Sequence, residues 1–264
     1  MAQQLNIDLD RLRSIALVGI HRAYVFMGLG INAARDENMV QYELSDTFHR
    51  LSRNQDEDID AIKKEFGNWI IGCGLREVSE SFNIYLTGIF RSAALIYNYT
   101  NDSAKISLEK VNKFERIGIG KQLKKLRAKF GISTQKDAYL ISISKARNCI
   151  THRKGIVKEQ DSIRDGKLDI KWLGTQSHIK TNSGEIIHFD SSFPAEGILI
   201  KDDGVINLEI IERVKQVKLG EQIIFTPNDL SEICFTFRLA TDEILQQTIE
   251  YLQSNGIIIQ RKNT

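Results

Sequence analysis

Apolar residues return every third or fourth position through long stretches of the first 157 residues, the spacing that lines one side of an α-helix. Leu9, Leu12, Ile15 or Ala16, and Ile20 open the first stretch, with Asn6 or Asp8 as N-cap. This predicts a helix through about Ala34, leaving through Arg35-Asp36-Glu37-Asn38. A shorter helix is expected over Val40–Leu51. Asp56–Asp60 then leads into a long pattern of Phe66, Trp69, Ile70, Val78, Phe82, Leu86, Ile89, Phe90 and Ala93, with Trp69 expected in the core. Gly72 and Gly74 are expected to kink or split it, at about 1 kcal/mol each relative to alanine. After a polar turn at Asn98–Ser103, Ile119, Leu123, Leu126 and Phe130 predict a basic helix over about Ile117–Phe130, ended by Gly131. Ser133 or Thr134 would cap the next helix, which carries Leu140, Ile143 and Ile150 inward and stops near His152 before Gly155. No proline precedes Pro194, so long helices are permitted throughout this part.

Beyond Val157 the period changes. Short β-like runs occur at Leu168–Leu173, Glu185–Phe189, Gly197–Ile200, Val205–Ile210 and Gln222–Phe225, with turns at Asn182-Ser183-Gly184, Asp202-Asp203-Gly204 and Leu219-Gly220-Glu221. Pro227 and Asp229 open a last helix through about Leu252, closed by Asn255-Gly256. The fold class read from this order is α+β: a helical bundle over residues 1–157, a small β-rich part over 158–226, and a closing helix over 227–256. That helix could pack on the bundle or cover the sheet.

Charge sharpens this picture. The formal net charge of +2 conceals a block over residues 105–154 with 14 lysines and arginines against 3 acidic residues, flanked by segments of net −4 and −5. A stretch of +11 between acidic neighbours is a candidate phosphate-binding surface. Two apolar stretches, Ile15–Ala34 and Ile84–Tyr99, contain His21 with Arg22, and Arg91. A charge at the centre of a spanning helix costs about 2.5–3.5 kcal/mol, so both read as buried helices, with no membrane partner. Charged residues precede the first apolar run, unlike a signal peptide. Cys73, Cys149 and Cys234 form no paired framework, and the expected location is the cytoplasm.

The candidate chemistry lies in Ser144–Val157, where Arg147, Asn148 and His152 end a predicted helix inside the basic block. Asn148 and His152 stand about 40° apart on one helix face, whereas Arg147 and His152 differ by about 140°. One helix would not close both side chains on a single phosphate; two copies meeting across a two-fold axis would, which favours a homodimer. Histidine moves protons near neutrality, and the arginine fork neutralises growing phosphate charge. Together they suit attack of an RNA 2′-hydroxyl on the adjacent phosphorus, without metal. Lys121, Lys124, Lys125, Lys145, Arg153 and Lys154 are the expected substrate contacts. Cys149 and His152 could offer two metal ligands, with His178 or His188 elsewhere, but no spaced second pair exists, so neither metal nor cofactor is expected. Gly28-Leu29-Gly30 follows no strand and reads as helix packing, and Trp172 and Phe189 read as sheet core rather than base-stacking platforms.

Arg-Asn, three further residues and a His at the end of a bundle's last helix resembles the HEPN superfamily, and RNCITHRKGIV is similar to a subset of HEPN-like proteins. The resemblance implies a four- or five-helix bundle, a dimer in which two motifs build one cleft, and metal-independent endoribonuclease activity in toxin–antitoxin, phage-defence or RNA-processing systems, with an antitoxin protein as a further partner. It would make Arg147 and His152 the catalytic pair and Asn148 their polar support. The β-rich part departs from a minimal member. Inactive members serve as dimerising or nucleic-acid-binding modules, which gives the alternative reading. A third is a protein–protein module that binds through its β-rich part. The same side chains could also be structural, bridging helices or satisfying terminal carbonyls.

Overall fold

The Asp8 carboxylate accepts the Arg11 N–H at 2.9 Å and starts the first helix, α1 (Leu9–Arg35). In this computed structural model, residues 7–36, 58–101, 105–161, 165–189 and 203–258 are described. The helix expected over Val40–Leu51, the β-run at Gly197–Ile200 and part of the turn at 202–204 lie outside them. Next comes α2 (Ile59–Thr100), a single 42-residue helix. Gly72 and Gly74 do not split it, because both are contact points: a Cβ at Gly72 would meet Ile150 at 3.1 Å, and one at Gly74 would meet Leu230 at 2.7 Å. Missing side chains let neighbouring elements approach the backbone, and that packing holds the helix through two poor helix formers.

After α2 the chain forms α3 (Leu108–Glu115), α4 (Ile119–Phe130) and α5 (Asp137–Arg153). The short α3 has no counterpart among the helices expected from pattern. Its Ser107 cap, with Val111 and Phe114 as buried positions, is too brief to register as a period. Gly131 ends α4 in the left-handed conformation, as expected. The start of α5 is a correction. Neither Ser133 nor Thr134 caps it; its N-cap is Lys136, and the Thr134 hydroxyl is taken by Glu243 while accepting the Lys136 N–H at 3.1 Å.

Among the described residues a three-stranded antiparallel sheet follows, in the order β2-β1-β3: β1 (Lys167–Thr181), β2 (Ile186–His188) and β3 (Gly204–Lys218). β1 and β3 pair as one long antiparallel ladder in continuous register from Lys167 opposite Lys218 to Thr181 opposite Gly204. Gln222–Phe225 is not a fourth strand. It runs beside the exit of α5 instead, with the Val157 N–H on Glu221 O, the Ile223 N–H on Gly155 O, and one bridge between Ile156 and Gln222.

The closing helix is α6 (Pro227–Ser254), begun by a capping box in which Thr226 and Asp229 satisfy each other's backbone N–H groups. Its two possible packings are both realised. Phe237 meets Phe82 of α2 edge-on at 5.0 Å between centroids, and Tyr85 O–H of α2 donates to Thr241 O at 2.9 Å. On its other side Thr236 Oγ1 accepts the Leu173 N–H and donates to Leu173 O, and Glu232 accepts the Trp172 indole N–H at 2.9 Å. One hydrophobic core therefore runs from Ala16 and Ala23 through α2, α4 and α5 to Ile170, Trp172 and Ile244. Trp172 is core, as expected; Trp69 is not, being 61% exposed and stacked on Phe66. The charges in the two apolar stretches pair between helices, Arg22 with Glu77 at 3.1 Å and Arg91 with Glu115 at 3.0 Å. By length and composition alone, α1 is long and apolar enough to cross a membrane.

Burial ranks these aromatics. Phe82→Ala is expected to lower stability by about 3–5 kcal/mol, because it removes a ring packed on all sides. Trp69→Ala should cost about 1 kcal/mol or less, as for a surface stack. Urea unfolding of the two variants checks the contrast.

Candidate functional site

Helix α5 is fixed at three levels before its functional residues appear. At its start Asp137 accepts from Arg127 of α4 at 2.6 Å. Two turns on, the Ser142 hydroxyl donates to Asp169 O and accepts the Lys171 N–H at 2.9 Å, while Tyr139 O–H donates to Glu212 at 3.0 Å. These bonds bolt the helix to β1 and β3. Glu212 also accepts from Lys171 at 2.9 Å, and the two donors hold its carboxyl below the usual carboxylate range. Leu140, Ile143, Ala146 and Cys149 fill the core side, and Ile150 packs on the bare backbone at Gly72.

This orientation turns Asn148, Thr151 and His152 to solvent along one edge. Arg147 lies at the border of that edge, its side chain 24% exposed. One of its terminal nitrogens donates to Glu80 of α2 at 3.0 Å and the other to Asn148 Oδ1 at 3.2 Å. The neighbouring amide thus holds one side of the guanidinium. Arg147 Nε and the Ser144 hydroxyl, one turn earlier, are buried with no hydrogen-bond partner among the described residues. Both atoms face the interior, away from the solvent edge that carries His152.

The helix ends in left-handed Lys154 and Gly155, with the Gly155 N–H returning to Cys149 O at 3.1 Å. Cys149 lies inside, its thiol on Ile156 O at 3.2 Å, and burial first, then Asp161, push that thiol up. Among the described residues no group of three or more His, Cys, Asp or Glu side chains could hold a metal.

The expected lysine contacts divide by position. Lys121, Lys124 and Lys125 are exposed on α4, Lys145 is half-buried on α5, and Lys154 is exposed at the helix end. Arg153 is a correction: its guanidinium is drawn into an ion pair with Asp161, the two side chains 15% and 4% exposed. Asp161 sits in the 3-10 turn Glu159–Asp161 and also accepts the Lys158 N–H at 2.8 Å. Arg153 serves to lock the chain as it leaves α5.

Two features escape sequence reasoning. Glu80 gives no signal in the sequence, since only the crossing of α2 and α5 brings it to Arg147. The other is a solvent-facing stripe on α2, Phe66, Trp69, Cys73, Arg76 and Glu80, spaced by three and four residues. That period is visible in the sequence, but pattern alone points Phe66 and Trp69 inward. Apolar at one end and charged at the other, the stripe runs up to the Arg147 ion pair on one face of the helix.

Compared with known proteins, the chain matches no family model, no curated protein and no solved structure.

The adjacent residues His152 and Arg153 should separate cleanly by stability. Arg153→Ala strands a buried carboxylate and is expected to cost about 3–5 kcal/mol. His152→Ala, at an exposed site, should stay within about 0.5 kcal/mol of the parent. Denaturant melts of both variants decide it. A thiol reagent at neutral pH should label half-exposed Cys73 first and reach Cys149 and Cys234 only on unfolding. Burial holds the Cys234 thiol up at about 12.

Proposed function

We propose that this chain is a metal-independent endoribonuclease of HEPN type, cleaving RNA by attack of the 2′-hydroxyl at a site shared across a homodimer. Its setting would be phage defence or a toxin–antitoxin system, the latter with an antitoxin partner. The observation that carries the reading is the α5 edge: an exposed His152 on the face of Asn148, and a partly exposed Arg147 whose terminal nitrogens are held by that amide and by Glu80.

In this reading His152 accepts the 2′-hydroxyl proton and returns a proton to the leaving 5′-oxygen, while Arg147 neutralises the equatorial phosphate oxygens. Cleavage leaves a 2′,3′-cyclic phosphate and a free 5′-hydroxyl. The ion pair with Glu80 is no obstacle. Glu80 is 54% exposed, and a pair at such a surface is worth about 0–1 kcal/mol, so a phosphate can displace the carboxylate. The angular separation of Arg147 and His152 still calls for a second copy. The exposed stripe at Phe66 and Trp69 supplies apolar surface for it on the face that bears the motif, and a two-fold axis there would bring both motifs to one cleft.

A second reading is favoured by one specific contact. With Glu80 occupying Arg147, the same fold could be a non-catalytic dimerising RNA-binding or regulatory module. Incubation of purified protein with labelled single-stranded RNA in EDTA separates the two. For the enzyme, the parent yields cyclic-phosphate ends, and His152→Ala or Arg147→Ala lowers the rate by at least about 100-fold. Glu80→Gln, which frees the arginine, should retain or raise activity. RNA bound but uncut by every variant would sink the enzyme and leave the module.

A further inference from the structure

Away from the α5 edge, five lysines converge on one concavity. Lys105 precedes α3, Lys110 and Lys113 lie on α3, and Lys125 and Lys129 lie on α4; with Phe90, Ile106 and Ala128 they line a cleft of about 570 Å³. Three walls of separate origin thus bring lysine side chains to the same concavity. Among the described lining residues there is no carboxylate. Glu109, one turn before Lys113 on α3, pairs with that lysine at 2.6 Å without itself lining the cleft. Lys129 is held over the Tyr97 ring, 4.4 Å from its centroid.

The cleft is rigid. Phe90 in its floor is stacked on Phe114 at 4.0 Å and meets Phe130 edge-on at 5.4 Å. The Asn98 amide grips Ile106 at both backbone groups, donating to its carbonyl at 3.0 Å and accepting its N–H at 2.6 Å. The buried Gln122 amide of α4 donates to Asn83 Oδ1 of α2 at 3.1 Å and to Phe114 O of α3 at 3.2 Å. Exposed lysines on these walls give the concavity a positive potential, which attracts an anion with several negative groups.

We propose that this cleft is an anchoring site for the phosphate backbone of single-stranded RNA, remote from the α5 edge. The inference rests on the reading of the chain as RNA-directed and adds a second point of attachment to it. Phe90 lies ten residues along α2 from Glu80, about 15 Å along the axis and about 80° around it. Strand and cleft meet chiefly by charge: lysines lack a fork and hold phosphates whatever the sequence, and the Phe90 ring in the floor is buried against Phe114 and Phe130. A compact free polyphosphate offers the same chemistry, and the test separates the two.

The experiment uses the full chain carrying His152→Ala, so that RNA is not consumed, with and without Lys110→Gln and Lys125→Gln. Anisotropy of a labelled single-stranded RNA is followed across a range of salt. Removing both lysines should weaken binding at least about tenfold and flatten the salt slope by roughly 1.4, about 0.7 for each phosphate left without its lysine. Arginine at both positions should restore affinity. Unchanged affinity and slope in the glutamine chain overturn the site. Lysine-dependent binding of tripolyphosphate with lysine-independent binding of RNA overturns the RNA assignment in favour of a small phosphate ligand. Failure of the nuclease reading is distinct: lysine-dependent RNA binding by a parent chain that never cleaves removes the catalysis and leaves the cleft standing.

Discussion

The interaction on which the rest of this molecule depends is the meeting of α2 and α6 at Phe82, Tyr85, Phe237 and Thr241. All four are fully or almost fully buried. Burying each phenylalanine contributes about 1.5–3 kcal/mol, and the Tyr85 hydroxyl finds a carbonyl, so it enters the interior without an unpaired donor. Burial, reinforced by Asp242, lifts that phenol well above its ordinary range and keeps it a donor at every physiological pH. Because α6 also binds β1 through Thr236 and Glu232, this meeting joins helices to sheet. Because α2 carries Gly72 and Glu80, it also decides where α5 sits and what Arg147 meets.

Much of the fold is readable in the chain itself, for reasons that can be named. Long helices with a sustained apolar period, α1, α2, α4 and α6, declare themselves, as do the capping residues Asp8 and Gly131. Pattern fails where a tertiary contact outweighs it. Gly72 and Gly74 resemble breaks until Ile150 and Leu230 are seen resting on them. Gln222–Phe225 has the composition of a strand, yet its hydrogen bonds go to the exit of α5. Trp69 continues an apolar period that the fold leaves outside.

For the site, chain-local features are legible and cross-chain ones are not. The exposure of Asn148 and His152 on one edge follows from helical spacing with Ala146 and Cys149 opposite. That Arg153 leaves the surface for Asp161 cannot be read from spacing, because Asp161 acts through a turn that forms only after the helix ends. The basic block is visible from residue 105 onward, but without α3 its first lysines have no place in space. Two neighbouring cations, Arg147 and Arg153, thus have opposite fates: one borders the solvent edge, the other closes the interior.

The Arg153–Asp161 pair has a practical corollary for anyone dissecting the chain. A fragment stopped at Val157, the boundary suggested by the change of period, would keep the guanidinium and discard its counter-charge. It would also uncover Phe82 and Tyr85 by losing Phe237 and Thr241. Helices α1–α5 share their interior with β1, β3 and α6, and a shortened product would be expected in the insoluble fraction.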